Sequence, residues 1–294
     1  MEAFFFLIYV QFLSGLTRAM VLFLVASGLS LVFGTLSILN FAHGSFYMLG
    51  AFITYSLFLR LNAWGFGFWL SVLLASLSIA FIGFLLETFL IRKTYHRGHI
   101  PQLLLTYAFT LIASDIVRMR WGGQFYTLPP PPGLSKAISL IGLDFPTYNL
   151  FIIFAGLAVY GLLWWLIYRT RIGNIIRASV FDREVVNFLG VPIPWLFSFL
   201  FSLGLFLAAL AGGLYAPLTT IDIGMDVSML IEAFAVVIIG GVGNLFGTLV
   251  GSLIVGLIQS FGIILFPQHA MALIFFVMAV VLIVRPYGLM GTKS

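Results

Sequence analysis

The sequence contains no cysteine, and charged residues are scarce. Without cysteine the chain has no disulfide, no thiolate metal site and no cysteine nucleophile. Only 8% of its 294 residues are charged, whereas roughly a quarter are charged in average soluble domains. This composition excludes a soluble globular fold and leaves no room for a sizeable extramembrane catalytic domain.

Apolar residues are abundant in this chain. They make up 62% of the chain, with a mean hydropathy of +1.16, and form long runs separated by short polar segments. A helix needs about 20 apolar residues to cross a bilayer, so the chain has room for about eight crossings. The sequence predicts an all-α polytopic membrane protein with about eight transmembrane segments, two of them broken or re-entrant. We expect a single transmembrane domain over residues 1–294.

Several catalytic motifs are also missing. The sequence has no G-x-x-x-x-G-K-[ST] phosphate loop, no H-E-x-x-H and no G-x-S-x-G. The four histidines do not stand at helical ligand spacing with a carboxylate, so neither a metal site nor a catalytic residue is predicted. The net charge of +5 comes from Lys and Arg beside apolar runs, which is typical of cytoplasmic loops. Nucleic-acid binding is therefore not expected.

The most informative stretch is an apolar run interrupted by polar residues at 28–52. Asn40 and His43 stand at the interruption, flanked by Gly34 and Gly44. Backbone groups freed from a helix find no water in the hydrocarbon, so such a break is tolerated only inside protein or along a cavity. We expect this break to line a translocation path, with His43 as a hydrogen-bonding brace.

A second interruption follows late in the chain. A half-length apolar run at 230–239 ends in G-G-V-G-N at 240–244, which includes Gly243 and Asn244. Paired broken helices at corresponding places are typical of internally repeated transporters. Alternatively, glycines spaced by four residues allow helices to pack closely. Both roles are compatible at this position.

The longest polar stretch, residues 169–194, carries four arginines and is predicted to be a cytoplasmic loop. Within it, residues 178–189 predict one short helix ended by Gly190, with Pro192 beyond. Its alternating charged and apolar residues suit a helix that lies across an interface. The alternative is a plain linker helix at the membrane surface. Arg285 places the C-terminus inside as well, so the N-terminus is expected outside if each span crosses once.

Few charges fall within the apolar runs. Arg18 either snorkels to an interface from a helix beginning near Tyr9 or faces the translocation path. Glu87 is interpreted as part of an interfacial ion pair, and Asp115 and Glu232 stand near predicted span ends. An interior almost free of carboxylates makes a proton- or sodium-driven carrier less favoured than a pore driven by an external motor.

Four ordered motifs carry a family resemblance. The chain reads N-F-A-H-G and Y-M-L-G-A at 40–51, R-A-x-x-x-D-x-E at 177–184, G-G-x-G-x-x-x-G-x-x-x-G at 240–251 and R-P-x-G-L-x-G at 285–291. In these motifs it resembles the permease subunits of branched-chain amino acid ABC importers of the LivH type. The resemblance covers nearly the whole chain.

The resemblance implies an ATP-driven importer in the bacterial inner membrane that works by alternating access. Its partners would be a second permease subunit, two cytoplasmic ATPase subunits, an extracytoplasmic solute-binding protein and membrane lipid. This chain would carry no cofactor, because ATP and Mg would be bound by the ATPase subunits. The residues expected along the substrate pathway are Arg18, Asn40, His43, Gly44, Tyr47, Gly243 and Asn244. Those expected to couple to the ATPase are Arg177, Asp182, Arg183, Glu184, Leu189 and Gly190.

The chain departs from the family pattern at several positions. Family members usually carry a small residue at the position of Arg18, an acidic residue at Ser45 and two alanines at Val185 and Val186. The expected solute is a branched-chain or other small amino acid, with urea, short amides or small carboxylates as alternatives within the family. Two other classes remain: a secondary carrier working alone, and a membrane-embedded enzyme using His43 with Ser45 nearby.

Overall fold

A computed structural model describes residues 2–61, 67–95, 97–140 and 143–291. Helices account for most of these residues, and the two short strands form a single antiparallel hairpin. The helices are α1 Glu2–Leu36, α2 His43–Leu61, α3 Gly67–Phe89, α4 His99–Trp121, α5 Thr147–Arg169, α6 Arg171–Phe181, α7 Arg183–Phe188, α8 Ile193–Tyr215, α9 Met225–Gly240, α10 Leu245–Leu265 and α11 Ala270–Val284. The strands are β1 Ala137–Leu140 and β2 Leu143–Pro146.

The predicted all-helical membrane architecture is confirmed. Within the described part of the chain, 7 helices are long and apolar enough to cross a membrane, and α11 is a shorter apolar helix. The helix predicted to begin near Tyr9 in fact begins at Glu2.

The core is organised around α1. Every residue from 19 to 32 is buried, in contact with α5, α8, α9 and α10. Glycines make this close packing possible: a Cβ on Gly28 would lie 2.5 Å from the carbonyl oxygen of Gly204 in α8. A Cβ on Gly256 of α10 would lie 2.6 Å from the amide nitrogen of Ala19. Small residues at helix interfaces therefore set the spacing of the bundle.

The two ends of the bundle differ. One end, the loop end, carries α6 and α7, and the opposite end carries the β1–β2 hairpin, because α5 separates the two along its length. The chain is non-helical from 122 to 136, a segment that includes Pro129–Pro132. An isolated bridge between Tyr126 and Ile221 ties this segment to the turn that follows α8.

Two local predictions are wrong. The loop at 169–194 forms two helices, α6 and α7, and not one over 178–189, because the Asp182 side chain accepts hydrogen bonds from the Glu184 and Val185 amides and begins a new helix. The apolar run predicted at 230–239 belongs to a longer helix that begins at Met225, so Asp226 lies in the first turn of α9. Acidic residues favour such first-turn positions.

Candidate functional site

The break between α1 and α2 is a buried, hydrogen-bonded segment. Asn40 and His43 are both completely buried. The Asn40 Oδ1 accepts from the amide of Ala42 at 3.1 Å, and Ser37 takes the left-handed conformation with φ of 59°. The Nε2–H of His43 donates to the carbonyl of Val25 at 2.9 Å. His43 thus holds the beginning of α2 against the middle of α1, as the predicted brace requires.

The beginning of α2 meets the beginning of α9. A Cβ on Gly44 would lie 2.2 Å from the carbonyl oxygen of Asp226, so only glycine allows this approach. Asp226 is 3% exposed, and its Oδ2 accepts from Ser45 at 3.3 Å and from Ser114 of α4 at 3.5 Å. A carboxylate therefore reaches Ser45 from another helix. Sequence reasoning missed this contact, although an acidic residue before an apolar run is a helix-start signal.

The second break lies at the loop end. Gly241 and Gly243 adopt positive φ values of 103° and 74°, and the Gly243 amide donates to Ser30 Oγ of α1 at 3.1 Å. Asn244 caps α10, because its Oδ1 accepts from the Gly247 amide at 2.8 Å while its Nδ2 donates to the Met290 carbonyl at 2.8 Å. Gly243 and Asn244 line a cavity of about 220 Å³ between α1, α5 and α6.

Arg18 lies inside the protein and contacts protein groups. Its Nη2 donates to Glu232 Oε2 at 2.6 Å, its Nε donates to Gln259 Oε1 at 3.0 Å, and its guanidinium covers the ring of Tyr215. The Glu232 side chain is 3% exposed. Snorkelling of Arg18 to an interface is therefore wrong, and so is the expectation that Glu232 stands near a span end. The pair joins α1 to the middle of α9.

A cavity of about 300 Å³ lies beside this ion pair, at the end of the bundle opposite α6 and α7. Helices α1, α2, α8 and α9 and the turn before α9 contribute to its wall. We call it the outer cavity. Its lining residues include Arg18, Tyr47, Tyr215, Asp222, Met225 and Met229. Burial, and next the charge of Asp226, raise the pKa of Asp222 above its usual value.

The predicted ion pair of Glu87 is confirmed, but it is buried. Glu87 is completely buried and accepts from Arg92 at 2.9 Å and from the Tyr95 hydroxyl at 2.7 Å. Ser198 of α8 also donates to it. This network fixes the end of α3 to the beginning of α8 at the loop end, which suits a structural role.

The loop formed by α6 and α7 is fastened to the first break. The Nη2 of Arg183 donates to the Thr35 carbonyl at 2.7 Å, at the end of α1, and lies 3.4 Å from Ser37 Oγ. Its guanidinium covers the ring of Phe197 in α8. A cation at a helix C-terminus is favourable because it satisfies free carbonyls. A movement of α7 would therefore pull directly on the segment that joins α1 to α2.

The other predicted coupling residues support the two short helices. Arg177 donates to the Ile167 carbonyl and to Asn174 Oδ1, and it lies over the ring of Tyr168. Gly190 ends α7 with φ of 84°. Glu184 is exposed in the first turn of α7. The three most exposed apolar side chains of this loop are Phe181 at 91%, Phe188 at 87% and Leu189 at 77%.

A bundle of long apolar helices with interior breaks and a helical loop at one end is the architecture of a multi-pass membrane permease. The chain belongs to the family described as "Branched-chain amino acid transport system / permease component", whose model matches residues 11–284. It is accordingly a transport permease subunit of the ABC type, located in the inner membrane, and not an enzyme.

Relatives match along nearly their whole length. The permease protein BraD of Pseudomonas aeruginosa is 26% identical over 96% of this chain and 95% of its own. The permease protein LivH of Escherichia coli K12 is 25% identical over 96% of this chain and 94% of its own. A probable LivH of Methanocaldococcus jannaschii is 27% identical over 92% of this chain and 88% of its own. No solved structure gives a significant match.

Proposed function

We propose that this chain is the permease subunit of an ATP-driven importer for branched-chain or other small amino acids. Relatives that match it end to end are named as high-affinity branched-chain amino acid permeases, which supports the solute class. The partners would be a second permease subunit, two cytoplasmic ATPase subunits and an extracytoplasmic solute-binding protein. ATP and Mg would be bound by the ATPase subunits.

The observation that carries the proposal is the loop of α6 and α7. It exposes Phe181, Phe188 and Leu189 away from the apolar bundle, and Arg183 fastens it to the end of α1. Exposed apolar side chains of this size mark a protein contact. An ATPase subunit seated on them would move α7, and Arg183 would transmit that movement to the break. Arg177, Asp182, Glu184 and Gly190 maintain the shape of the loop.

Alternating access would use the breaks as hinges. The Nδ2 of Asn40 and the Nδ1 of His43 are buried without a protein hydrogen-bond partner in the described structure. Buried polar groups without partners cost free energy, so a rearrangement that gives them partners would recover that cost in the second state. The proposed pathway runs from the outer cavity at Arg18 and Tyr47 past Gly44 to the cavity at Gly243 and Asn244. Only differential binding of partners to the two states can shift their populations.

Reconstitution tests the proposal against a carrier that works alone. Proteoliposomes holding this chain, its second permease and the ATPase subunits should take up leucine only when ATP and the binding protein are supplied. Liposomes holding this chain by itself should show no uptake driven by a proton or sodium gradient. The neutralisation of Glu232 by Arg18 supports the second expectation, because a paired carboxylate is a poor proton carrier. Gradient-driven uptake by the single chain would contradict the proposal.

A further inference from the structure

The outer cavity has the dimensions of a small-molecule site. Its volume of about 300 Å³ lies at the lower limit of the roughly 300–1,000 Å³ found for ligand pockets. Four helices and one turn converge on it, so its walls belong to parts of the chain far apart in sequence. A solute of a few heavy atoms fits such a cavity, whereas a peptide or sugar chain does not.

Both signs of charge line the cavity, and the buried carboxylates behind its wall bring the local charge to a negative surplus. Arg18 and Asp222 both contribute to the wall. Arg18 is already paired with Glu232, and Asp226 is a further buried carboxylate whose charge acts on Asp222. One guanidinium thus stands among three carboxylates. An uncompensated carboxylate at a cavity wall favours a ligand that brings a cation.

Arg18 also keeps hydrogen-bonding capacity. A guanidinium has five N–H donors, and the described structure uses one donor on Nε and one on Nη2. The remaining donors belong to a group on the cavity wall and suit a carboxylate. Met225 and Met229 supply a soft apolar part of the wall, and methionine adapts to branched side chains.

We propose that the outer cavity binds the zwitterion of a small apolar α-amino acid, with Asp222 receiving its ammonium group and Arg18 its carboxylate. The side chain of the solute would lie against Met225 and Met229. This inference rests on the proposed import function and sharpens it, because urea, short amides and plain carboxylates lack the ammonium group that Asp222 would bind. The permease itself would then contribute to specificity after the binding protein releases its solute.

Equilibrium binding to the full chain in lipid nanodiscs tests the site. Three probes of similar shape separate the contributions of the two charged groups of the solute. They are L-leucine, isoamylamine, which lacks the carboxylate, and 4-methylvaleric acid, which lacks the ammonium group. Leucine should bind most tightly and the acid most weakly. Asp222→Asn should weaken leucine and isoamylamine by about tenfold, as expected for a charge-assisted hydrogen bond. Asp144 is an exposed aspartate of β2, so Asp144→Asn is the matched control. It should change the affinity for neither leucine nor isoamylamine.

The other end of the solute is tested with a double variant. Arg18→Gln alone would leave Glu232 buried without a partner, so Arg18→Gln is combined with Glu232→Gln to keep the protein folded. The double variant should lose affinity for leucine and keep its affinity for isoamylamine. Melting curves that match the wild type would show that both variants are folded.

Several outcomes would contradict the proposed binding site. Leucine binding that is absent in the wild type, equal in Asp222→Asn, or matched by 4-methylvaleric acid would each reject it. ATP-dependent leucine uptake by the complete assembly, measured on the same variants, separates this result from the proposed function. Unchanged uptake with Asp222→Asn rejects the site and leaves the importer standing, whereas the absence of leucine uptake in the wild-type assembly rejects the function itself.

Discussion

At the scale of the residue, the polar groups inside this protein serve to fix the ends of helices. Asn40 and Asn244 each accept from a backbone amide at a helix break, and His43 donates to the Val25 carbonyl in the middle of α1. Because unsatisfied backbone groups are especially costly in a membrane protein, these side chains allow helices to begin within the bundle. Asp226 and Glu232 are held by hydroxyl and guanidinium donors in the same way.

Removal of the His43 side chain should therefore destabilise the fold. His43→Ala deletes a completely buried ring and its hydrogen bond to Val25, at a cost of about 2–4 kcal/mol in the free energy of unfolding. Thermal unfolding in detergent, followed by tryptophan fluorescence, would show the lower Tm. His269→Ala is the matched control, because His269 is exposed in the turn before α11. Equal melting temperatures of the two variants would contradict the role of His43 as a brace.

At the scale of the element, α6 and α7 form a small unit that arginines attach to the bundle and that exposes three large apolar side chains. Arg177 and Arg183 attach it to α5 and α1, and Phe181, Phe188 and Leu189 face outward. The split at Asp182 turns one predicted helix into two, so the apolar side chains of both can serve the same partner.

This arrangement predicts the effect of a single surface substitution. Phe188→Ser should weaken association with the ATPase subunits by about tenfold or more, as expected when a large aromatic side chain at an interface is removed. The fold should be retained, because Phe188 is 87% exposed. Phe125→Ser, at a position 75% exposed on the opposite end of the bundle, is the control and should leave association unchanged. Co-purification and surface binding assays measure the difference, and equal association of the two variants would remove α7 from the interface.

At the scale of the whole molecule, the helices alternate in direction from α1 to α5 and again from α8 to α11, with the two ends of the bundle chemically distinct. The arginine-rich end is expected in the cytoplasm and the β1–β2 end outside. The outer cavity then faces the binding protein, and the α6–α7 loop faces the ATPase subunits.

The absence of cysteine makes this orientation directly testable. Ser135→Cys, in the exposed segment before β1, should react in intact cells with a maleimide that cannot cross the membrane. Ala178→Cys, exposed on α6, should react only after the membrane is opened. The unsubstituted chain provides a background free of thiols. Labelling of Ala178→Cys in intact cells would reverse the orientation.

Local patterns in the sequence determined the membrane class, the helical runs, both breaks and the position of the loop at 169–194. These features depend on residues close together in the chain, where runs of apolar residues and interrupting glycines act directly on backbone conformation. Capping by Asn244 also follows from the residues beside it.

Only the tertiary structure decided which distant residues meet. Arg18 and Glu232 pair across 214 positions, and Asp226 reaches Ser45 across 181. The sequence pattern placed Glu232 near a span end, because nothing local distinguishes a buried acid with a partner from an exposed one. The outer cavity has the same origin: its wall comes from four helices whose spacing is set by glycines packed against backbone, and packing of that kind is a property of the assembled bundle.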